Sequence, residues 1–509
     1  MNAPLPSTLP DLRNLVLLAL IALLVSLPSL IFGPGATHSH LYNYVWTSQF
    51  GAAMQAGDLY PRWLPDSFEG LGSPTFYFYP PVAYWISGAL DAIGLPTFQA
   101  VHVAGLLFLL ASGVAMHAWL AERGGRPMAG AILYMLAPYH IFDLLVRGAL
   151  AEHAAYALLP LVALGIERLP HRRGVILLAL SYGGLLLTHL PTAELAGLFL
   201  IAPMVARRSL AGWRVPVAGA AAGVIAFALG AFFLLPALTL QSHISTDMLW
   251  TRHYRATDWS IWTREIELFP CIALALILLA WPARSFWTAI TVFTALASVR
   301  LIPLLWDIDL LNQVQFPWCA LVIAEFAAVT AIAGRWPGRI NWMLGGAMLL
   351  PPLCFTAVTV AGNLYKGVDL PRIVRHMPDA PEYLPAGFDA RRVDAFDRWA
   401  DLSPWRGLPR TDRIIVDRPG PVTLGRAAFP IWRVIRDGAA VATTGPLLHF
   451  QAAPGEYRIE RVTLWQEKIG WAISALAAMA LALIAFGRRP VIRHLSKFPA
   501  YSPSSTIIG

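Results

Sequence analysis

The sequence predicts an all-α polytopic membrane bundle of about twelve spans, with a small β-rich domain inserted before the last helix. Three observations carry this. The 509 residues are 57% hydrophobic and only 13% charged, and mean hydropathy is +0.57. Apolar runs near the roughly twenty-residue length that crosses a bilayer recur along the chain. Lys and Arg fall in short clusters between those runs, the pattern that marks cytoplasmic loops. The net charge of +8 is therefore topological. It does not form the basic, aromatic-laced face that nucleic acid requires.

The first run, about 14–32, is longer than the apolar core of a signal peptide, and no A-x-A cleavage site follows it. It reads as a retained anchor. The basic clusters are Arg123/Arg126, Arg168 to Arg173, Arg207/Arg208/Arg214, Arg284, Arg335/Arg339 and Arg488 to Lys497. Two spans fit between successive clusters if 76–95 lies at the interface; its Pro80-Pro81 pair, Asp91 and dense Tyr/Trp content suit that position. The expected spans are 14–32, 99–120, 128–139, 154–167, 175–188, 193–206, 215–238, 267–282, 286–303, 316–334, 341–362 and 468–486. Both termini then face the cytoplasm, and the outer loops are 33–98, 140–153, 189–192, 239–266, 304–315 and 363–467.

The last outer loop differs in kind. RIIV, WRVIRD and EYRIERVTL alternate apolar and polar residues, and Pro419-Gly420, Asp437-Gly438 and Pro454-Gly455 separate them. Alternation with such breaks predicts antiparallel strands. The chain thus divides into a membrane domain at 1–362 with its first outer loop at 33–98, a β-rich domain at 363–467, and a last helix with a basic tail at 468–509. The three cysteines (Cys271, Cys319 and Cys354) sit in or beside apolar runs without zinc or redox spacing, and read as packing residues.

Polar side chains at membrane depth are costly, so their distribution is informative. Here they gather on the outer side: His38, His40, Asp58, Arg62, Asp66, Glu69, His140, Asp143, Arg147, Glu152, His153, His189, Gln313 and Gln315 among them. Carboxylates, histidines and arginines from several loops suit a polar cavity for a substrate with an anionic head and a greasy tail. Arginine holds phosphate, and a carboxylate or histidine takes a proton from an attacking hydroxyl.

Individual positions keep alternative readings. His38 and His40 stand two apart at the mouth of the first span, where they are metal ligands, acid/base or substrate-contacting groups, or loop histidines that hydrogen-bond locally. Asp143 and Arg147 are spaced as a helical ion pair, whereas Arg147 placed on a phosphate and Glu152 near an acceptor is the functional reading. Arg62 is an interfacial anchor's neighbour or a phosphate contact. Gln313 and Gln315 bind sugar hydroxyls or pack helices. GLGSP at 70–74 is a turn, since it lacks the Lys and strand–helix context of a phosphate loop. Glu325 falls mid-span as a packing residue, and Arg300 snorkels toward the interface.

GDLYPRWLPDSFEGLGSPTFYFYPP (57–81) is similar to the first outer loop of bacterial membrane proteins labelled 6-pyruvoyl-tetrahydropterin-synthase-related. APYHIFDLLVRGALAEHAA (137–155) and NQVQFPW (312–318) look like two further hallmarks of that group. The pterin synthase itself is a small soluble zinc enzyme whose fold nothing here resembles. The group resembles the GT-C glycosyltransferases, polytopic enzymes with a large functional first outer loop. That resemblance implies transfer of a sugar from a polyprenyl-phosphate donor to a glycan or lipid acceptor at the periplasmic face of the bacterial inner (cytoplasmic) membrane. It implies catalytic roles for Glu152, His40 and Asp66, and substrate contacts from His38, Arg62, Tyr139, His140, Asp143, Arg147, His189, Gln313 and Gln315. No cofactor is assigned; a divalent cation stays open. The sequence departs from the GT-C pattern twice: His38-Ser39-His40 stands where the first loop usually opens with Asp, and Cys319 follows QFPW where Arg is common. A flippase for lipid-linked saccharide, or a non-catalytic partner of an envelope glycan complex, is the alternative.

Overall fold

The structure, a computed structural model, describes residues 9–486 except 34, 211, 247, 249–254, 262, 264–267 and 394–399. The basic tail at 488–497 lies outside the described residues. The chain is mostly helical, with a small β region near its C-terminus.

The number of spans is not twelve. Among the described residues, seven helices are long and apolar enough to cross a bilayer: Leu12–Phe32, Thr97–Glu122, Leu150–Glu167, Leu190–Ser209, Pro317–Gly334, Arg339–Lys366 and Trp465–Phe486. The number rises to nine if two bent pairs each count as one span. Length decides the difference. Phe269–Ala283 and Phe286–Ser298 fall in the 10–17 residue range, and Arg172–Leu186 has 15 residues. At about 1.5 Å per residue such helices reach roughly 15–25 Å, short of a hydrocarbon core of ~30 Å. An apolar run reads as a span in sequence whether or not its helix continues.

Both bends have local causes. Pro127–Met135 and Pro138–Arg147 meet at 40°, because Ala137 precedes Pro138 and takes an extended ψ of 137°, the region residues before proline favour. Arg214–Leu229 and Ala231–Thr239 meet at 71° across Gly230. A break at membrane depth frees backbone groups that need partners. The Phe232 N–H donates to Ser474 Oγ at 3.0 Å, and Ser474 Oγ donates to the Ala228 carbonyl at 3.1 Å. The Phe232 carbonyl is open for a different reason, since its helical partner would be the N–H that Pro236 lacks, and it accepts Arg62 Nη2 at 2.7 Å. Ser474 reaches this point because a Cβ on Gly470 would stand 2.7 Å from the Ala231 carbonyl oxygen; only glycine allows that approach.

Burial sorts the helices. In Pro317–Gly334, 94% of the most apolar window is buried, against 22% in Leu12–Phe32 and in Trp465–Phe486. The first is the centre of the bundle, while the others present apolar faces outward. Alanines at 320, 324, 327, 328, 331 and 333 are all buried, and small residues let neighbouring helices approach closely.

The expected first outer loop is itself folded. His40–Gln55 packs on Val82–Ala92, an 11-residue helix too short to cross a bilayer. Trp46 anchors the aromatic core, with ring centroids 4.7 Å from Tyr79, 5.2 Å from Tyr84 and 5.8 Å from Phe76. Asp379, from the segment after Arg339–Lys366, is buried here. It accepts Trp46 Nε1 and Thr75 Oγ1, each at 2.7 Å. Burial raises the Asp379 carboxyl above its ordinary value, opposed by those hydrogen bonds.

The β region has six strands: β1 (Arg413–Val416), β2 (Gly420–Ala427), β3 (Trp432–Arg436), β4 (Ala439–Val441), β5 (Leu447–Ala452) and β6 (Gly455–Arg461). One sheet has the order β1-β6-β3-β4, and β2-β5 form a pair. All pairings are antiparallel. Asp437 and Gly438 turn β3 into β4 with φ of 51° and 79°, the tight-hairpin geometry that Asp-Gly favours. The Ala427 N–H donates to the Leu71 carbonyl at 2.8 Å, so β2 rests on the first loop.

Candidate functional site

The segment APYHIFDLLVRGALAEHAA builds one connected polar cluster. Pro138–Phe142 begins a helix that widens to π-geometry over Asp143–Arg147 and ends at Gly148. Leu150–Ala155 then turns Glu152 back toward the start. Arg147 Nη1 is 2.6 Å from Asp143 Oδ1, 2.5 Å from Glu152 Oε2 and 2.7 Å from the Tyr139 hydroxyl. The Tyr139 hydroxyl in turn donates to Glu152 Oε1 at 2.8 Å. Asp143 and Glu152 are buried, whereas the Arg147 side chain keeps 15% exposure.

That exposure matters because all of these bonds run through one nitrogen. Nε and Nη2 of Arg147 carry no hydrogen bond among the described residues. The guanidinium lies over Phe316, 5.5 Å from its centroid, so an aromatic face from QFPW fixes its plane. A planar donor edge, aimed by two carboxylates and still unpaired, is suited to bidentate binding of an oxyanion.

A third carboxylate holds this cluster from behind. Glu325, on the central helix, accepts the Tyr139 N–H at 2.7 Å, the His140 N–H at 3.1 Å and the Tyr156 hydroxyl at 2.9 Å. It caps the helix that carries Tyr139 and Arg147, satisfying N–H groups that a helix start leaves open. Sequence reading treats Glu325 as packing; the structure makes it the cap.

His38 and Ser39, after the first helix, join the cluster through backbone, whereas the His40 N–H donates to the Thr37 carbonyl. The His38 N–H donates to the Val146 carbonyl at 3.2 Å and the Ser39 N–H to the Arg147 carbonyl at 2.9 Å. Asn43 Nδ2 donates to the Gly148 carbonyl at 2.6 Å. Gly148 has φ of 63°, and a Cβ there would stand 2.3 Å from Thr37 Oγ1. His40 starts the helix His40–Gln55, with Nδ1 against the Thr37 carbonyl. Burial lowers its pKa, partly offset by that bond.

Other expected site residues divide. His189 senses the charges of Glu152 and Arg147, and its Nδ1 is 2.8 Å from Thr192 Oγ1. His140 is fully buried, stacked on Tyr156 at 3.7 Å and 2°, with Nδ1 3.0 Å from the Tyr134 carbonyl oxygen; its ring belongs to the core behind the cluster. Asp66 is exposed, its N–H donating to Gln49 Oε1 at 2.9 Å, and stands apart. Gln313 is exposed and Gln315 half-buried with φ of 70°; no hydrogen bond ties either to the cluster. Arg62 lies elsewhere, bonded to Phe232 and 3.3 Å from Glu467 Oε1. Arg300 donates to the Thr257 and Trp259 carbonyls instead of snorkelling. Among the described residues, no three His, Cys, Asp or Glu side chains are grouped as metal ligands.

Sequence reading missed two neighbours of the cluster. Cys319 is buried at the start of the central helix, close to Glu152, and Phe316 covers Arg147. Both sit in the run NQVQFPWC, so the motif carried the signal but not the assignment.

A bundle of this kind, with ionisable groups buried beneath a folded loop, defines a multi-pass membrane protein. Within it, residues 76–253 match the model of the 6-pyruvoyl-tetrahydropterin synthase related domain, a membrane protein family, which bears out the resemblance read from the motifs. The match contains 137–155 and the end of 57–81; NQVQFPW lies beyond it. Among solved structures, the chain is similar to the arabinofuranosyltransferase AftD from Mycobacteria, with a TM-score of 0.46 and 17% identity over 71% of this chain. A variant of the same transferase gives 0.45 and 18% over 71%. The chain spans 28% of the length of those transferases. No curated protein matches the sequence.

Proposed function

We propose that this chain is a glycosyltransferase of the GT-C type, embedded in the bacterial inner membrane with its outer loops at the periplasmic face. The donor is a polyprenyl-phosphate-linked sugar and the acceptor a glycan or lipid hydroxyl. One observation carries the reading: Arg147 is oriented through Nη1 by Asp143, Glu152 and Tyr139, while its other donor edge stays unpaired.

The donor phosphate binds Nε and Nη2 of Arg147, where a planar fork matches two phosphate oxygens. Glu152 is bonded to Nη1 of the same guanidinium. As the acceptor oxygen bonds to the anomeric carbon, the bond from that carbon to the phosphate oxygen breaks. The electron pair leaves with the phosphate, whose charge Arg147 holds, and the acceptor proton passes to Glu152. The His38–His40 segment acts as a positioning element, since its backbone N–H groups hold the Val146 and Arg147 carbonyls. Such a role does not need a first-loop Asp.

The test separates binding from chemistry. In nanodiscs, Arg147→Lys should weaken polyprenyl-phosphate binding at least tenfold, whereas Glu152→Gln should bind it nearly normally and abolish glycan modification in cells. Unchanged binding by Arg147→Lys, or normal modification by Glu152→Gln, overturns the assignment.

A further inference from the structure

Away from the cluster around Arg147, a cavity of about 800 Å³ opens where the first loop, the end of β6 and the start of the last membrane helix meet. Its floor is an ion pair, Arg62 with Glu467, whose side chains are only 3% and 10% exposed. Its mouth carries Arg461 and Asp58, 3.9 Å apart and each about two-fifths exposed (42% and 43%). At that separation the two charges are not hydrogen-bonded to each other. Trp85 and Trp471 form indole walls, each stacked on Phe232, at 6.2 Å and 4.5 Å.

The position is as informative as the lining. Glu467 and Trp471 lie in the first two turns of Trp465–Phe486, a candidate span. Trp465 and Trp471 remain 56% and 50% exposed, as aromatic residues do at headgroup depth. The cavity therefore sits at the level where lipid headgroups lie.

Its charges balance: two arginines against two carboxylates. A simple anion gains from Arg461 but meets Asp58 beside it and Glu467 beneath it. A headgroup carrying both signs meets none of that repulsion. We propose that this cavity binds the zwitterionic headgroup of a membrane phospholipid bearing a phosphate and a primary ammonium. The phosphate pairs with Arg461. The ammonium lies between Asp58 and the indole faces of Trp85 and Trp471, where a cation is attracted to the ring quadrupole. The acyl chains run beside the last helix. The buried Arg62–Glu467 pair, tied to the Phe232 carbonyl, keeps the floor rigid, so occupancy braces the broken helix at Gly230.

The experiment is native mass spectrometry of the full chain released from nanodiscs of phosphatidylethanolamine and phosphatidylglycerol in equal amounts. One phosphatidylethanolamine should be retained in at least tenfold preference to phosphatidylglycerol, and millimolar inorganic phosphate should not displace it. Asp58→Asn and Arg461→Gln, both at exposed positions, should each lower that preference at least fivefold while the protein stays monodisperse. Trp471→Leu should do the same without changing the charges. Equal retention of the two lipids, displacement by inorganic phosphate, or wild-type preference in both charge variants overturns the proposal. Binding of polyprenyl phosphate at Arg147 is independent of all these outcomes, so failure here leaves the transferase reading standing.

Discussion

Arg147 Nη1 lies 2.5 Å from Glu152 Oε2, and the pair sits among groups that water barely reaches. Two carboxylates share the one guanidinium, since Asp143 Oδ1 is 2.6 Å from the same nitrogen. Breaking a buried pair leaves a charge without compensation, and that cost exceeds the net worth of the contact. Arg147→Met strands both acids and should destabilise the protein by about 3–5 kcal/mol. Glu152→Gln leaves Asp143 on the guanidinium and should cost about 1–3 kcal/mol. Unfolding titrations in mixed micelles check the order; equal losses would show that the pair is not the support described.

Glu325 tests the cap. Glu325→Leu removes the acceptor of two backbone N–H groups and the Tyr156 hydroxyl, each costing about 1–3 kcal/mol if left buried and unsatisfied. The helix start at Pro138 should loosen and Arg147 lose its aim. The expected outcome is lower stability together with weaker polyprenyl-phosphate binding, although Glu325 lies behind the cluster. Glu325→Gln, which keeps one acceptor, should recover part of both.

Gly148 offers a double-mutant test. Gly148→Ala meets two obstacles: a left-handed φ, costing roughly 1–2 kcal/mol, and a Cβ 2.3 Å from Thr37 Oγ1. Thr37→Ala removes the second obstacle but not the first. The double variant should therefore recover only part of the loss in melting temperature. Complete recovery would mean that the backbone at 148 is unstrained.

Acid should release one latch between the first loop and the segment after Arg339–Lys366. Glu69 accepts Arg406 Nε and Nη2 at 2.8 and 2.7 Å, and His376 Nδ1 lies 2.7 Å away. Arg406 first, then His376, hold its carboxyl below the ordinary value. A lowered folded-state pKa means that its stabilisation is fully present above the unfolded value of about 4.3 and disappears as pH falls through the folded value. Hydrogen exchange at 372–377 and 403–406 should rise as pH drops through this window in the wild type, after correction for intrinsic rates. In Glu69→Gln the exchange should already be high and insensitive to pH there.

The distribution of basic clusters predicts an orientation that labelling can test. In a background without Cys271, Cys319 and Cys354, a cysteine introduced at Arg413 should react with a membrane-impermeant maleimide in intact cells. One introduced at Arg172 should react only after lysis. The opposite pattern would invert the topology and remove the periplasmic reading of the cluster.

The sequence by itself determined the membrane class, the Asp437-Gly438 turn between strands and the segment holding Tyr139, Asp143, Arg147 and Glu152. These are local properties: apolar run length, the backbone limits of proline and glycine, and alternation are all legible within a dozen residues or so. Tertiary structure decided what depends on distant partners. The span count fell because an apolar run does not state where its helix stops. Glu325 became a cap because Tyr139 lies 186 residues away in sequence but 2.7 Å away in space. Arg62 is tied to the Phe232 carbonyl, 170 residues away in sequence, because Pro236 has no N–H to offer that carbonyl within the helix. In GATHSHLYNYVW it is the backbone N–H groups of His38 and Ser39 that brace the Val146 and Arg147 carbonyls, while the His40 N–H turns back to Thr37.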